Sequence, residues 1–242
     1  MTTIHAEGLH FQQLNDRIRA ATDTHIAVDH CLGQRYIASG MQGLRIDIHG
    51  TPGNALGAYL DGCDITVFGN AQDATGDTMN AGTIAIHGRA GDATGYAMRG
   101  GTILVEGDTG YRAGIHMKAY REKVPALVIG GEAGSFLGEY QAGGWIIVLG
   151  LNRGHDGPPV GNFCGTGMHG GHIAIRGERL PPDLPDQITA APATREQMAA
   201  IRPYLQQFCS RFRIKMADLL AEPFQILSPN TKNPYKQLYT AN

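Results

Sequence analysis

At 242 residues with a formal net charge of −2, the chain is long enough for one sizeable core and has no broad basic surface to neutralise a phosphate backbone, which argues against nucleic acid. No apolar run approaches the roughly 18 residues of a membrane span, and the start MTTIHAEGLHFQQLNDRIRA lacks a signal-peptide pattern, so a cytoplasmic protein is expected. Cys31, Cys63, Cys164 and Cys209 lie far apart with no CxxC pair, which suits reduced thiols, and the 34 Gly are the feature that needs a reason.

Residues 1–31 read as an N-terminal cap: Phe11, Leu14 and Ile18 share one helical face, and HIAVDH (25–30) alternates like a first strand. Residues 32–177 then repeat. With a glycine as anchor, the pattern G-x-x-(M/L)-x-(G/A)-x-x-(I/L)-x-(I/V)-x-G falls at Gly57, Gly76, Gly95 and Gly114, nineteen residues apart. Ala38 holds the anchor position one repeat earlier, and Gly138 and Gly165 continue the series after insertions of five and eight residues, making seven repeats.

Each repeat carries two branched aliphatics two residues apart, as in TIAIHG (83–88) and WIIVLG (145–150), which is the period of a strand. Stacked in register, Ile65, Ile84, Ile103, Leu127, Ile146 and Ile173 form one interior ladder, and Val67, Ile86, Val105, Ile129, Val148 and Ile175 a second. Met41, Leu60, Met79, Met98, Met117 and Met168 form a third, with Gln141 in the sixth repeat's place. The expected fold is an all-β parallel β-solenoid of about seven turns with glycine at its corners, so Gly95→Val should cost stability. A left-handed hexapeptide helix fits less well, since it needs eighteen residues per coil. GTGMHGG (165–171) and GNAQDATG (69–76) precede no helix pattern and carry no GK[ST], so a phosphate cradle is disfavoured.

Residues 178–242 form a C-terminal appendage. Pro181, Pro182 and Pro185 end the repeat, Thr194 with Gln197 reads as a capping box, and Met198, Ile201, Leu205 and Phe208 follow at helical spacing, with Pro203 as a candidate kink. PFQILSPNTKNPYKQLYT (223–240) reads as an extended arm that packs on this chain or on a partner.

Insertions in a repeat map to loops, often on the binding face. The candidate partner interface is therefore Lys118, Tyr120, Arg121 and Lys123 of the first insertion (118–125), with Arg153, His155 and Asp156 of the second (151–159). No catalytic constellation emerges, and no catalytic, cofactor or metal residue is assigned. His49, His87 and Glu106 occupy one repeat position and read as a solvated face. His169 and His172 lack a third ligand, Cys31 beside His30 lacks a partner, and Asp73, Asp92 and Asp108 read as caps of their own turns.

DTMNAG, GYAMRGG, GIHMKAY, FLGEYQAGG and GTGMHGG, set in this repeat, closely resemble the GXGXG domain of glutamate synthase in its free-standing form, glutamate synthase domain 3. The likeness runs from about residue 11 to PYKQLYT. It implies a right-handed parallel β-helix with a short helical cap and a helical and extended appendage. It also implies a non-catalytic subunit that braces a glutamine amidotransferase releasing ammonia and a synthase carrying FMN and iron–sulfur clusters. The cofactors would then sit on those partners and none on this chain. The β-helix subunit of N-methylglutamate synthase is similar too, and that of formylmethanofuran dehydrogenase and formyltransferase/hydrolase complexes shares the repeat. An independent small-molecule transferase near His155 and Asp156, and self-association through the C-terminal arm, remain as alternatives.

Overall fold

The paired aliphatics of the repeats form strands in the expected register. In the computed structural model, which describes residues 1–151 and 153–230, the seven repeat strands are β3 (Arg45–Thr51), β4 (Asp61–Phe68), β5 (Ala81–Ile86), β6 (Thr102–Val105), β7 (Ala126–Ile129), β8 (Ala142–Val148) and β9 (Gly170–Arg176). Ile46, Ile65, Ile84, Ile103, Leu127, Ile146 and Ile173 pair in that order, as do Ile48, Val67, Ile86, Val105, Ile129, Val148 and Ile175 two residues on. All fourteen are fully buried, each contributing about 1.5–3 kcal/mol by leaving water. Leu60, Met79, Met98, Met117 and Met168 are buried beside them.

Before the repeats, β1 (Thr2–His5) and β2 (His25–Leu32) extend the parallel pairing, so Ile26 and Val28 meet Ile46 and Ile48. Between them α1 (Phe11–Ala20) buries Leu14 and Ile18, and His10 caps it reciprocally with Gln13. After β9 come β10 (Ile188–Pro192), α2 (Arg195–Phe212), the single turn α3 (Met216–Leu219) and β11 (Phe224–Pro229). Thr194 Oγ1 accepts from the Gln197 amide at 3.2 Å, as its sequence predicts, and α2 runs unbroken through Pro203. The arm expected over 223–240 is strand β11 at its start, while residues 231–242 lie outside the described residues.

The expectation of an all-β, right-handed parallel β-helix is corrected by this arrangement. The described strands form one open eleven-stranded sheet in the order β1-β2-β3-β4-β5-β6-β7-β8-β9-β11-β10. It is parallel from β1 to β9 and antiparallel where β11 joins β9 and β10 joins β11. The physical reason lies within each repeat, which has one aliphatic pair at period two and so specifies one strand. Its glycine-rich remainder forms turns that meet those of adjacent repeats through isolated bridges such as Ala71 with Ala90 and Ala90 with Thr109, not through further sheets.

The sheet's outer face explains α2. Ala85, Leu104, Val128, Ile147 and Ala174 pair across β5–β9, each lying between the two inner positions of its strand. They form a second buried cluster with Ile201, Leu205, Phe208 and Phe212 of α2. In the same row Asp47 and Thr66 are polar. There the helix contributes Arg211, whose guanidinium bonds both carboxylate oxygens of Asp64 at 2.6 and 2.5 Å and Thr66 Oγ1 at 3.4 Å.

Candidate functional site

The first insertion folds into a tight hairpin. Tyr120 and Lys123 exchange backbone hydrogen bonds at 3.0 Å each, and the guanidinium of Arg121, on a left-handed backbone, lies 5.2 Å from the Tyr120 ring. Lys123 Nζ reaches Asp61 Oδ1 at 3.5 Å, so the hairpin leans back toward the start of β4 while Lys118 and Tyr120 stay exposed.

The second insertion is bound more tightly to its own chain. Arg153 donates to the Gly157 carbonyl at 2.9 Å, and its other terminal nitrogen lies 3.7 Å from Glu222. Glu222 also pairs with Arg176 at 2.9 Å, and the buried Arg176 guanidinium donates to the carbonyls of Leu219 and Asp218. His155 Nδ1 accepts from the Gly157 amide at 2.9 Å, which leaves the proton on Nε2, 3.0 Å from Glu132 Oε1. Asp156 is exposed on a cleft of about 300 Å³ shared with Glu178 and Arg179. The insertions are not brought together: one precedes β7 and the other follows β8, at opposite ends of the strands.

Elsewhere several titratable residues are engaged structurally. His49, Phe68 and His87 stack face to face at 4.7 and 5.2 Å, His87 also lies 3.1 Å from Glu106, and Phe212 meets it edge-on. This row is a stacked ladder on a face that stays partly solvated, since His49 and Phe68 are exposed. His172 stacks on Trp145 and bonds Ser228 Oγ at 2.8 Å, and burial holds its pKa below the ordinary imidazole value. Cys31 donates to Gln34 Oε1, and burial pushes its thiol up to about 11; burial takes Cys164 up to about 12. Both are protonated and weakly nucleophilic near neutrality. Among the described residues no group of three or more His, Cys, Asp or Glu is placed to hold a metal ion.

The aspartates correct their expectation in detail. Asp73 Oδ1 accepts from the Asp92 amide at 2.9 Å, Asp92 Oδ1 from the Tyr111 amide at 2.8 Å, and Asp108 Oδ1 from the Glu132 amide at 2.9 Å. Each caps the following repeat rather than its own turn. A Cβ on Gly91 would fall on the Asp73 carboxylate, which is why a glycine precedes Asp92.

Sequence reasoning missed the turn face. Two residues before and two after each anchor the backbone is left-handed; the positions before hold Tyr36, Ala55, Ala74, Ala93, Arg112, Phe136 and Phe163, and those after hold Gly40, Tyr59, Thr78, Ala97, His116, Tyr140 and Gly167, so that large rings adjoin one another in the later repeats. Phe136 and Phe163 stack at 4.9 Å with Arg112 over Phe136 at 4.7 Å, and Tyr96, His116 and Tyr140 run alongside at 6.0 and 5.1 Å. The usable signal was the offset from the anchor, where an aromatic replaces the small residue of other repeats.

A model of the GXGXG motif family matches residues 13–233. "Uncharacterized protein MJ1350" of Methanocaldococcus jannaschii is 45% identical over 249 aligned positions, covering 98% of this chain and 95% of that protein. Among solved structures, a chain of the formyltransferase/hydrolase complex (FhcABCD) from Methylorubrum extorquens, in complex with methylofuran, aligns with a TM-score of 0.65 at 18% identity. The alignment covers 93% of this chain and 89% of that one, a likeness of fold. No helix among the described residues is long and apolar enough to cross a membrane.

Proposed function

Because the chain belongs to the GXGXG motif family, we propose that it is a non-catalytic structural subunit of a multi-subunit, glutamate-synthase-like complex in the cytoplasm. It would brace a glutamine amidotransferase unit and an FMN and iron–sulfur synthase unit, with the cofactors on those partners. The observation that carries this reading is how the chain uses its polar groups. Arg153, His155 and Lys123 are engaged with Glu222, Glu132 and Asp61 of the same chain, the ladders are aliphatic, and the thiols are held protonated by burial. Such a surface suits packing better than reaction, and it counts against a transferase built on His155 and Asp156. The shared fold with a chain of a formyltransferase/hydrolase complex favours a second reading, a subunit of that kind of complex.

Affinity purification under gentle conditions from the organism that encodes the chain separates the readings. An amidotransferase and a flavoprotein in stoichiometric amounts support the first, and formyltransferase subunits support the second. Recovery of the chain alone overturns both.

A further inference from the structure

We infer that the aromatic turn face of the later repeats, rather than either charged insertion, is the surface on which a partner subunit docks, and that the partner presents an uncharged apolar surface to it. The inference rests on the subunit reading above. Phe136 and Tyr140 flank Gly138, with Phe163 stacked on the first and His116 on the second, so two aromatic columns run side by side. Tyr96, Tyr140 and Phe163 keep 39%, 37% and 49% of their surface exposed. At roughly 150–250 Å² per aromatic side chain this leaves about 200–300 Å² of aromatic surface, enough for the centre of an interface that buries about 800 Å² per partner.

The backbone geometry of these turns does not call for large side chains. His116, Phe136, Tyr140 and Phe163 have φ of 55°, 63°, 53° and 60°, a region that disfavours residues with a Cβ and that Gly enters freely. Gly40 and Gly167 occupy the column of Tyr140 with φ of 67° and 69°, so the turn does not need a side chain there. Large aromatics are therefore held, against backbone preference, where they face solvent.

Charge selects the occupant. Arg112 is the cation of this face, and Glu139 neutralises it at 2.9 Å while its plane covers Phe136. Arg112 is thus already engaged within the chain, and the Asp183 carboxylate, which accepts from the Phe163 amide at 2.7 Å, would repel nucleic acid or an acidic surface; aromatic residues with arginine are the composition of a protein–protein hot spot. The apolar outer face of β5–β9 is already covered by α2.

The test is purification of the full-length tagged chain from its own organism, with co-purifying subunits identified and quantified by mass spectrometry. Tyr140→Gly with Phe163→Gly removes both rings at positions where Gly relaxes the backbone, which offsets part of the lost stacking, so the variant should stay folded while partner recovery falls about tenfold or more. Tyr59→Gly, at the same offset and 57% exposed but in an early repeat, should leave recovery unchanged. If the double Gly variant fails to fold, Tyr140→Asn with Phe163→Asn gives the same readout, because Asn tolerates this backbone region. Undiminished recovery with the folded double variant overturns the inference and leaves the subunit reading intact. An equal loss in Tyr59→Gly overturns it as well. A wild-type chain recovered without partners removes the subunit reading and the inference together. A self-assembly of the wild type, seen by light scattering and dissolved by the double variant, would make the occupant a second copy and overturn the partner assignment.

Discussion

A Cβ on Gly57 would lie 2.7 Å from Cδ1 of Ile84, the core isoleucine of the following repeat's strand. The same geometry joins Gly138 to Ile173 at 2.8 Å, so an anchor glycine both turns the chain and leaves room for the next repeat's ladder. Gly95 differs, since its neighbour is Leu127 and the nearest atom stands 3.7 Å from the Cβ position. Both glycines have φ > 0, which costs an alanine about 1–2 kcal/mol. Gly57→Ala should add about 1–3 kcal/mol of overpacking that Gly95→Ala avoids. Urea titrations of the two variants check this, and equal losses would refute the steric account.

The ladders were legible because period two leaves no choice about which side of a strand faces the core, and nineteen-residue spacing aligned Ile65 with Ile84. What the period did not reveal was how the rest of each repeat joins its neighbours, so the expected β-helix gave way to one open sheet with bridged turns. The outer row was also readable in principle: Asp47 and Thr66 give way to Ala85, Leu104, Val128, Ile147 and Ala174, and an apolar outer row needs a cover. The amphipathic face of α2 was seen, but without its matching surface on the sheet it read as an appendage. Asp73 looked local because side chain to backbone caps usually are, and its true acceptor role spans one whole repeat.

That role is testable by separating hydrogen-bond acceptance from charge. Asp92→Ala removes the acceptor for the Tyr111 amide and should cost about 0.5–1.5 kcal/mol. Asp92→Asn keeps a carbonyl oxygen and should recover most of the loss. Asn70 already works this way, accepting from the Arg89 amide at 2.9 Å. Thermal melts of the two variants decide the matter, and equal destabilisation would show that charge, not acceptance, is what counts.

The cover provided by α2 should depend on its apolar face far more than on its ion pair. Phe208 is fully buried against the outer row, and Phe208→Ala should cost about 3–5 kcal/mol. Arg211 and Asp64 are partly exposed, so Arg211→Ala should cost about 1 kcal/mol or less despite the short bonds. Guanidinium denaturation gives both values. A larger loss for Arg211→Ala would mean that the helix is held by its C-terminal end rather than by its packing.

His172 should make the fold sensitive to mild acid. Burial lowers its pKa below the ordinary imidazole value of 6.5, so the folded chain prefers the neutral ring. As pH falls through about 6.5 the unfolded chain takes up a proton that the folded chain still refuses, and unfolding is favoured by that uptake. Stability is therefore full above the unfolded value, declines as pH drops below it, and stops declining once the folded ring also protonates. His172→Gln removes this contribution and leaves the other histidines in place. The difference in melting temperature between wild type and variant, followed from pH 8 to pH 5, should be constant above about 6.5 and shift against the wild type below it. A difference that stays flat across the whole range would show that the half-buried ring beside Trp145 and Ser228 does not couple protonation to folding.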